Sequence, residues 1–113
     1  MNIPEQGVLL RVFIGESDQW HGKPLYEAIV LKARELHLAG ATVLRGPMGF
    51  GANSRLHTAK ILRLSEDLPM VIEIVDSQQK IDELMPFIDE AVKEGLVTLE
   101  DVKVIRYRGN DHG

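Results

Sequence analysis

Between Gly46 and Ser54 the chain reads GPMGFGANS, with Arg45 before it and Arg55, Lys60 and Arg63 after it. No acidic residue occurs from Gly40 through Leu64, so these cations are uncompensated in their own segment. Glycine-rich backbone leaves N–H groups free to cradle an anion, and arginine forks fit phosphate or carboxylate oxygens. The residues therefore point to an anion-binding loop, or to a solvated hairpin loop whose charges serve solubility. The loop is not a P-loop, because no Gly-Lys-Ser/Thr closes it, and GPMGFG lacks the glycine spacing of a dinucleotide site. A second cationic cluster, Lys103, Arg106 and Arg108 with Tyr107 between the arginines, stands near the C-terminus. A strand there would put Arg106 and Arg108 on one face, reaching a single anion. The alternative is an edge strand protected by charge.

Other chemistry is weaker. His21, His37, His57 and His112 are scattered, with no pair at the helical i, i+4 spacing of a metal site. Ser54 with His57 invites a nucleophile reading, but no nucleophile-elbow pattern surrounds the serine and no third group orients the histidine. Glu16 with Asp18, and Glu66 with Asp67, suit helix capping and solvation. The chain has no cysteine, which excludes disulfides, thiolate zinc sites and thiol catalysis. No catalytic residue and no metal ligand set is assigned, and no cofactor is required.

The elements that must position these residues follow from periodicity. The 113 residues suit one domain with a core over about 7–107 and loose tails at both ends. GVLLRVFIGE alternates Val8, Leu10, Val12 and Ile14 against Leu9, Arg11 and Phe13, which predicts a central strand. A helix follows, with Pro24 in its first turn, Leu25, Ala28, Ile29, Ala33 and Leu36 along one stripe, and Gly40 just past its end. ATVLRG is a short strand leading into the glycine loop, and a further strand is expected around 59–64. PMVIEIVD is a clear strand. The second helix starts at Asp76 or Ser77 and carries Ile81, Leu84, Met85, Ile88 and Val92 toward Gly95, with a kink or break expected at Pro86. A last strand is expected from about Val102.

Strand, helix, strand, strand, helix, strand is the order of an α+β ferredoxin-like sandwich, an antiparallel sheet with both helices on one face. The other sheet face carries Arg11, Phe13, Val71, Glu73 and Val75, a mixture that suggests burial against a second copy of the chain. A net charge of −4 argues against nucleic acid. No apolar run approaches about 18 residues, and the N-terminus lacks a secretory pattern, so the chain reads as cytoplasmic without direct membrane insertion.

With these residues in hand, the chain resembles PII-like proteins. The stretches LRVFIGESDQWHGKPLYEAI, GATVLRGPMGFGANSRLHTAKILRLSEDLP and VIEIVD are similar to the uncharacterised family called domain of unknown function 190, over about residues 7–107. The resemblance implies a homotrimer that binds an adenine nucleotide between subunits and signals to a partner protein, such as a transporter or an enzyme, through a long mobile loop. Thr42 and Val43 followed by Gly49, Phe50 and Gly51 match the PII pattern at that loop, with one extra residue between the two words. The implied ligand-binding residues are Thr42, Arg45, Gly49, Phe50, Gly51, Asn53, Ser54 and Arg55, joined by Arg106 and Arg108, which echo a C-terminal arginine pair one residue short. Where PII proteins carry a glycine-rich basic phosphate loop, this chain has EGLVTLEDVKV, which favours AMP, ADP or a cyclic adenine nucleotide over a triphosphate. A divalent-metal-binding trimer like the CutA proteins, a ligand-free oligomeric scaffold and a hydrolase of a phosphorylated small molecule stay open as alternatives.

Overall fold

A computed structural model describes residues 6–50 and 67–109. Strands β1 (Gln6–Gly15), β4 (Thr42–Arg45), β5 (Pro69–Asp76) and β6 (Leu96–Lys103) form one sheet in the order β4-β5-β1-β6, antiparallel at every pairing. Alternation sets the faces, as it must in a pleated strand. Val8, Leu10, Val12 and Ile14 of β1 and Met70, Ile72 and Ile74 of β5 turn to one side and are buried. Helices α1 (Leu25–Glu35) and α2 (Gln78–Ala91) cover that side with Leu25, Ile29, Ala33, Ile81, Leu84, Ile88 and Ala91. The result is the expected ferredoxin-like α+β sandwich. The strand expected around 59–64 lies outside the described residues.

Several local expectations are corrected. Pro24 precedes α1 rather than opening it, because ESDQWHGKP is not a simple lead-in: Gln19–Trp20 (β2) pairs with Lys23–Pro24 (β3). His21 at φ 49° and Gly22 at φ 81° turn this hairpin, both left-handed as a two-residue type I′ turn requires. The stop of α1 falls at His37 instead of Gly40. His37 takes φ 63°, its N–H donates to the Arg34 carbonyl and the Leu38 N–H donates to the Ala33 carbonyl, the two bonds of a Schellman cap. Leu38 and Ala33 are both buried, so packing holds an imidazole where glycine is usual.

The second helix is neither broken at Pro86 nor extended to Gly95. Its Ser77 cap accepts the Lys80 N–H at 3.2 Å, and it runs unbroken to Ala91. Proline removes the bond to the Asp82 carbonyl, but Asp82 and Pro86 are both exposed, where water reaches that carbonyl. The last strand begins at Leu96, well before Val102, and its pairing ends at Lys103 opposite Gln6. It is an edge strand with most of its side chains exposed, so LVTLEDVK carries little alternation for burial to enforce. Arg106 and Arg108 therefore lie beyond the strand, and strand alternation does not pair them.

Candidate functional site

The sheet face turned away from the helices is built in cross-strand rows. Leu44, Val71, Phe13 and Leu96 form an apolar row across all four strands, and Thr42, Glu73, Arg11 and Thr98 form the next. Leu44 and Leu96, at the ends of the apolar row, are 49% and 56% exposed. The Arg11 guanidinium bridges the centre, donating from Nε to Glu73 at 2.8 Å and from Nη1 to Glu100 at 2.8 Å. The Glu73 hydrogen bond raises the Arg11 pKa above its usual value, against a smaller opposing effect of burial. The face is thus apolar at one end and ion-paired in the middle.

At its other end lies a cleft of about 630 Å³. Leu9, Glu73 and Val75 make its floor, the segment from Ala39 to Thr42 one wall, and the segment from Val102 to Tyr107 the other. The first wall is fixed from both sides. Asp76, only 2% exposed, accepts the Ala39 N–H through Oδ2 at 2.8 Å and the Ser77 N–H through Oδ1 at 2.7 Å. The Tyr107 hydroxyl donates to the Ala39 carbonyl at 2.8 Å. A buried carboxylate with both oxygens satisfied by backbone N–H groups is a rigid support rather than a reactive group.

The expected site residues divide between the two ends of β4. Thr42 and Arg106 line the cleft, and Lys103 joins them. Arg108 is exposed and does not line it. Three residues along the strand, roughly 10 Å at strand rise, Arg45 is ion-paired with Glu16. Next to it the Gly46 N–H donates to the Pro69 carbonyl at 2.7 Å. A Cβ on Gly46 would stand 2.8 Å from Pro69 Cγ, and one on Gly49 3.1 Å from it. Within one chain these glycines admit a proline ring, and Phe50 projects 69% exposed beyond them. Gly51, Asn53, Ser54 and Arg55 lie outside the described residues, as do His57, His112 and the Ser54–His57 pair.

The loop carboxylates are structural. Asp18 Oδ2 accepts the Gly15 N–H at 3.0 Å, and Asp67 Oδ1 accepts the Ser17 N–H at 3.1 Å and its hydroxyl at 2.8 Å. Among the described residues, no three His, Cys, Asp or Glu side chains converge as a metal site, and no helix is long and apolar enough to cross a membrane. His21 stacks on Trp20 with centroids 4.1 Å apart. Sequence reasoning missed Glu73 and Tyr107 as cleft residues. For Tyr107 a signal existed, an aromatic side chain set between two cations, but its hydrogen-bond partner is a backbone carbonyl that no side-chain pattern reveals.

Comparison with known proteins places this geometry. The family DUF190, described as uncharacterized ACR, matches residues 7–104. A UPF0166 protein of Aquifex aeolicus (strain VF5) is 40% identical over 97 residues, covering 86% of this chain and 91% of that protein. A UPF0166 protein of Methanocaldococcus jannaschii is 31% identical over 105 residues, covering 92% and 94%. Among solved structures, CPII, a nitrogen regulatory PII-like protein from Thiomonas intermedia K12 bound to ADP, AMP and bicarbonate, superposes with a TM-score of 0.64 at 12% identity, covering 91% of this chain and 97% of that one. A putative PII-like signaling protein from Thermus thermophilus superposes with a TM-score of 0.62 at 14% identity, covering 88% and 90%.

Proposed function

The chain belongs to the DUF190 family and has the PII-like fold, and from that premise we propose that it is a regulatory protein that binds an adenine nucleotide or a related small anion. The observation that carries this reading is the cleft itself, where apolar Leu9 and Val75 floor the space between Thr42 on one wall and the cations Lys103 and Arg106 on the other. A flat base fits an apolar floor, and a phosphate fits a cationic rim. The half-buried Phe13 and Val71, flanked by exposed Leu44 and Leu96, suit burial against further copies of the chain in a homotrimer. In such an assembly the two ends of β4 belong to clefts between subunits, with Arg45, Gly49, Phe50, Gly51, Asn53, Ser54 and Arg55 of one copy completing the site of another. Glu94, Glu100 and Asp101 make the approach along β6 acidic, which favours AMP, ADP or a cyclic adenine nucleotide over a triphosphate. The glycine-rich loop is then the part that meets a partner protein, such as a transporter or an enzyme, in a ligand-dependent way.

The test is calorimetric titration with AMP, ADP, ATP, cyclic AMP and cyclic di-AMP, with the solution mass measured on the same sample. Micromolar binding of one of them, about one per subunit, is expected. A well-folded oligomer that binds none of the five overturns the reading.

A further inference from the structure

The part of this wall from Val104 to Tyr107, with its continuation to Gly109, differs in kind from the rest of the cleft. It has no regular secondary structure, and it follows the last paired residue of β6, Lys103. Two contacts define its path. At the near end Val104 packs on Gly7, where a Cβ would come within 3.1 Å of Val104 Cγ2. At the far end the Tyr107 hydroxyl reaches the Ala39 carbonyl, and among the described residues this is the one hydrogen bond that ties the segment across the cleft. Between these points Ile105 is 85% exposed, so little apolar burial holds the middle of the span. The opposite anchor is firm, because Ala39 is held through its N–H by the buried Asp76.

We propose that residues 104–109 are a strap across the cleft, hinged at Val104 and latched by the Tyr107–Ala39 hydrogen bond, whose opening admits the ligand. A single neutral hydrogen bond at an exposed position contributes little enough that the latch opens without disturbing the fold. Segments of low local stability are the ones that serve as lids. Closure carries Arg106 with it, because Arg106 lies inside the span and lines the cleft. The strap thereby couples entry to the delivery of a cation to the rim. This inference rests on the nucleotide-binding reading only for what enters the cleft.

Limited tryptic cleavage of Tyr107→Phe, read at the Arg106–Tyr107 bond by mass spectrometry, tests it, since that variant removes the hydroxyl and keeps the ring. In the absence of nucleotide, cleavage at this bond is expected to speed up about fivefold, the effect of losing one ordinary hydrogen bond on the population of the open segment, while the unfolding midpoint stays near wild type. Equal cleavage rates in the two proteins overturn the strap. With saturating ADP, wild-type cleavage at this bond is expected to slow. ADP that binds calorimetrically yet leaves this cleavage unchanged also overturns the strap, because the segment then does not wall the occupied site. A Tyr107→Phe effect combined with no calorimetric binding of ADP upholds the latch and removes ADP from the nucleotide reading, so the two failures are distinguishable.

Discussion

The two faces of this sheet are made by the same strands and solve opposite problems. On the helix side Leu10, Val12 and Ile72 are 0% exposed, and aliphatic side chains from α1 and α2 complete the layer. On the open side the same strands offer Phe13, Val71 and Leu44 in one row and Arg11, Glu73 and Glu100 in an ion-paired cluster. The first face is finished within one chain, by burial whose energy scales with apolar area. The second satisfies its charges internally and leaves its apolar row half-covered, and it is the face through which the proposed oligomer would form. The finished face and the proposed contact face are thus separated by the two-residue period of β1 and β5.

That separation can be broken by substitution. Leu10→Ala, on the finished face, is expected to cost about 2–5 kcal/mol of unfolding free energy, as fully buried leucines do, read by denaturant unfolding. Asp76→Ala is expected to cost about 2–3 kcal/mol by the same measurement, since two backbone N–H groups lose a charged acceptor; a smaller loss would mean that water replaces the carboxylate. Phe13→Ala, on the open face, is expected to weaken assembly by about 2 kcal/mol, the scale of a central aromatic anchor, seen as a lower solution mass at dilution. An unchanged mass would place the oligomer contact elsewhere. Arg106→Ala is expected to lower nucleotide affinity about tenfold and Arg108→Ala less than about twofold, because only Arg106 lines the cleft. The smallest effect is expected for Arg11→Met, which should leave the unfolding midpoint near wild type, with any difference vanishing at high salt.

What could be read from the sequence follows the same division. β1, β5 and the stripes of both helices were legible because burial on one side enforces a period of two or about 3.6. The start of β6 was not, because an edge strand with exposed side chains needs no such pattern. The β2–β3 hairpin was hidden by its length, two residues on each side of a histidine-glycine turn. His37 was passed over for Gly40 because tertiary packing of Leu38 overrides the usual preference for glycine in a left-handed cap. For the candidate site, Thr42 was implied by the family resemblance and Arg106 was legible in a basic cluster, and both line the cleft. Arg108 was included on strand alternation, which stops at Lys103. Glu73 was legible as a face residue, yet nothing in its pattern says that the floor of a cleft lies there.

The tryptophan in the small hairpin has a practical consequence. Trp20 lies edge-on to Phe87 of α2 with centroids 5.5 Å apart, on the helix side of the sheet, while the cleft opens on the opposite side. As the chain's sole tryptophan it is a built-in optical reporter whose emission follows the docking of the hairpin onto the helices. Within one chain it lies away from the cleft lining, so fluorescence for folding and calorimetry for binding, on one sample, separate a variant that unfolds from one that has only lost its ligand.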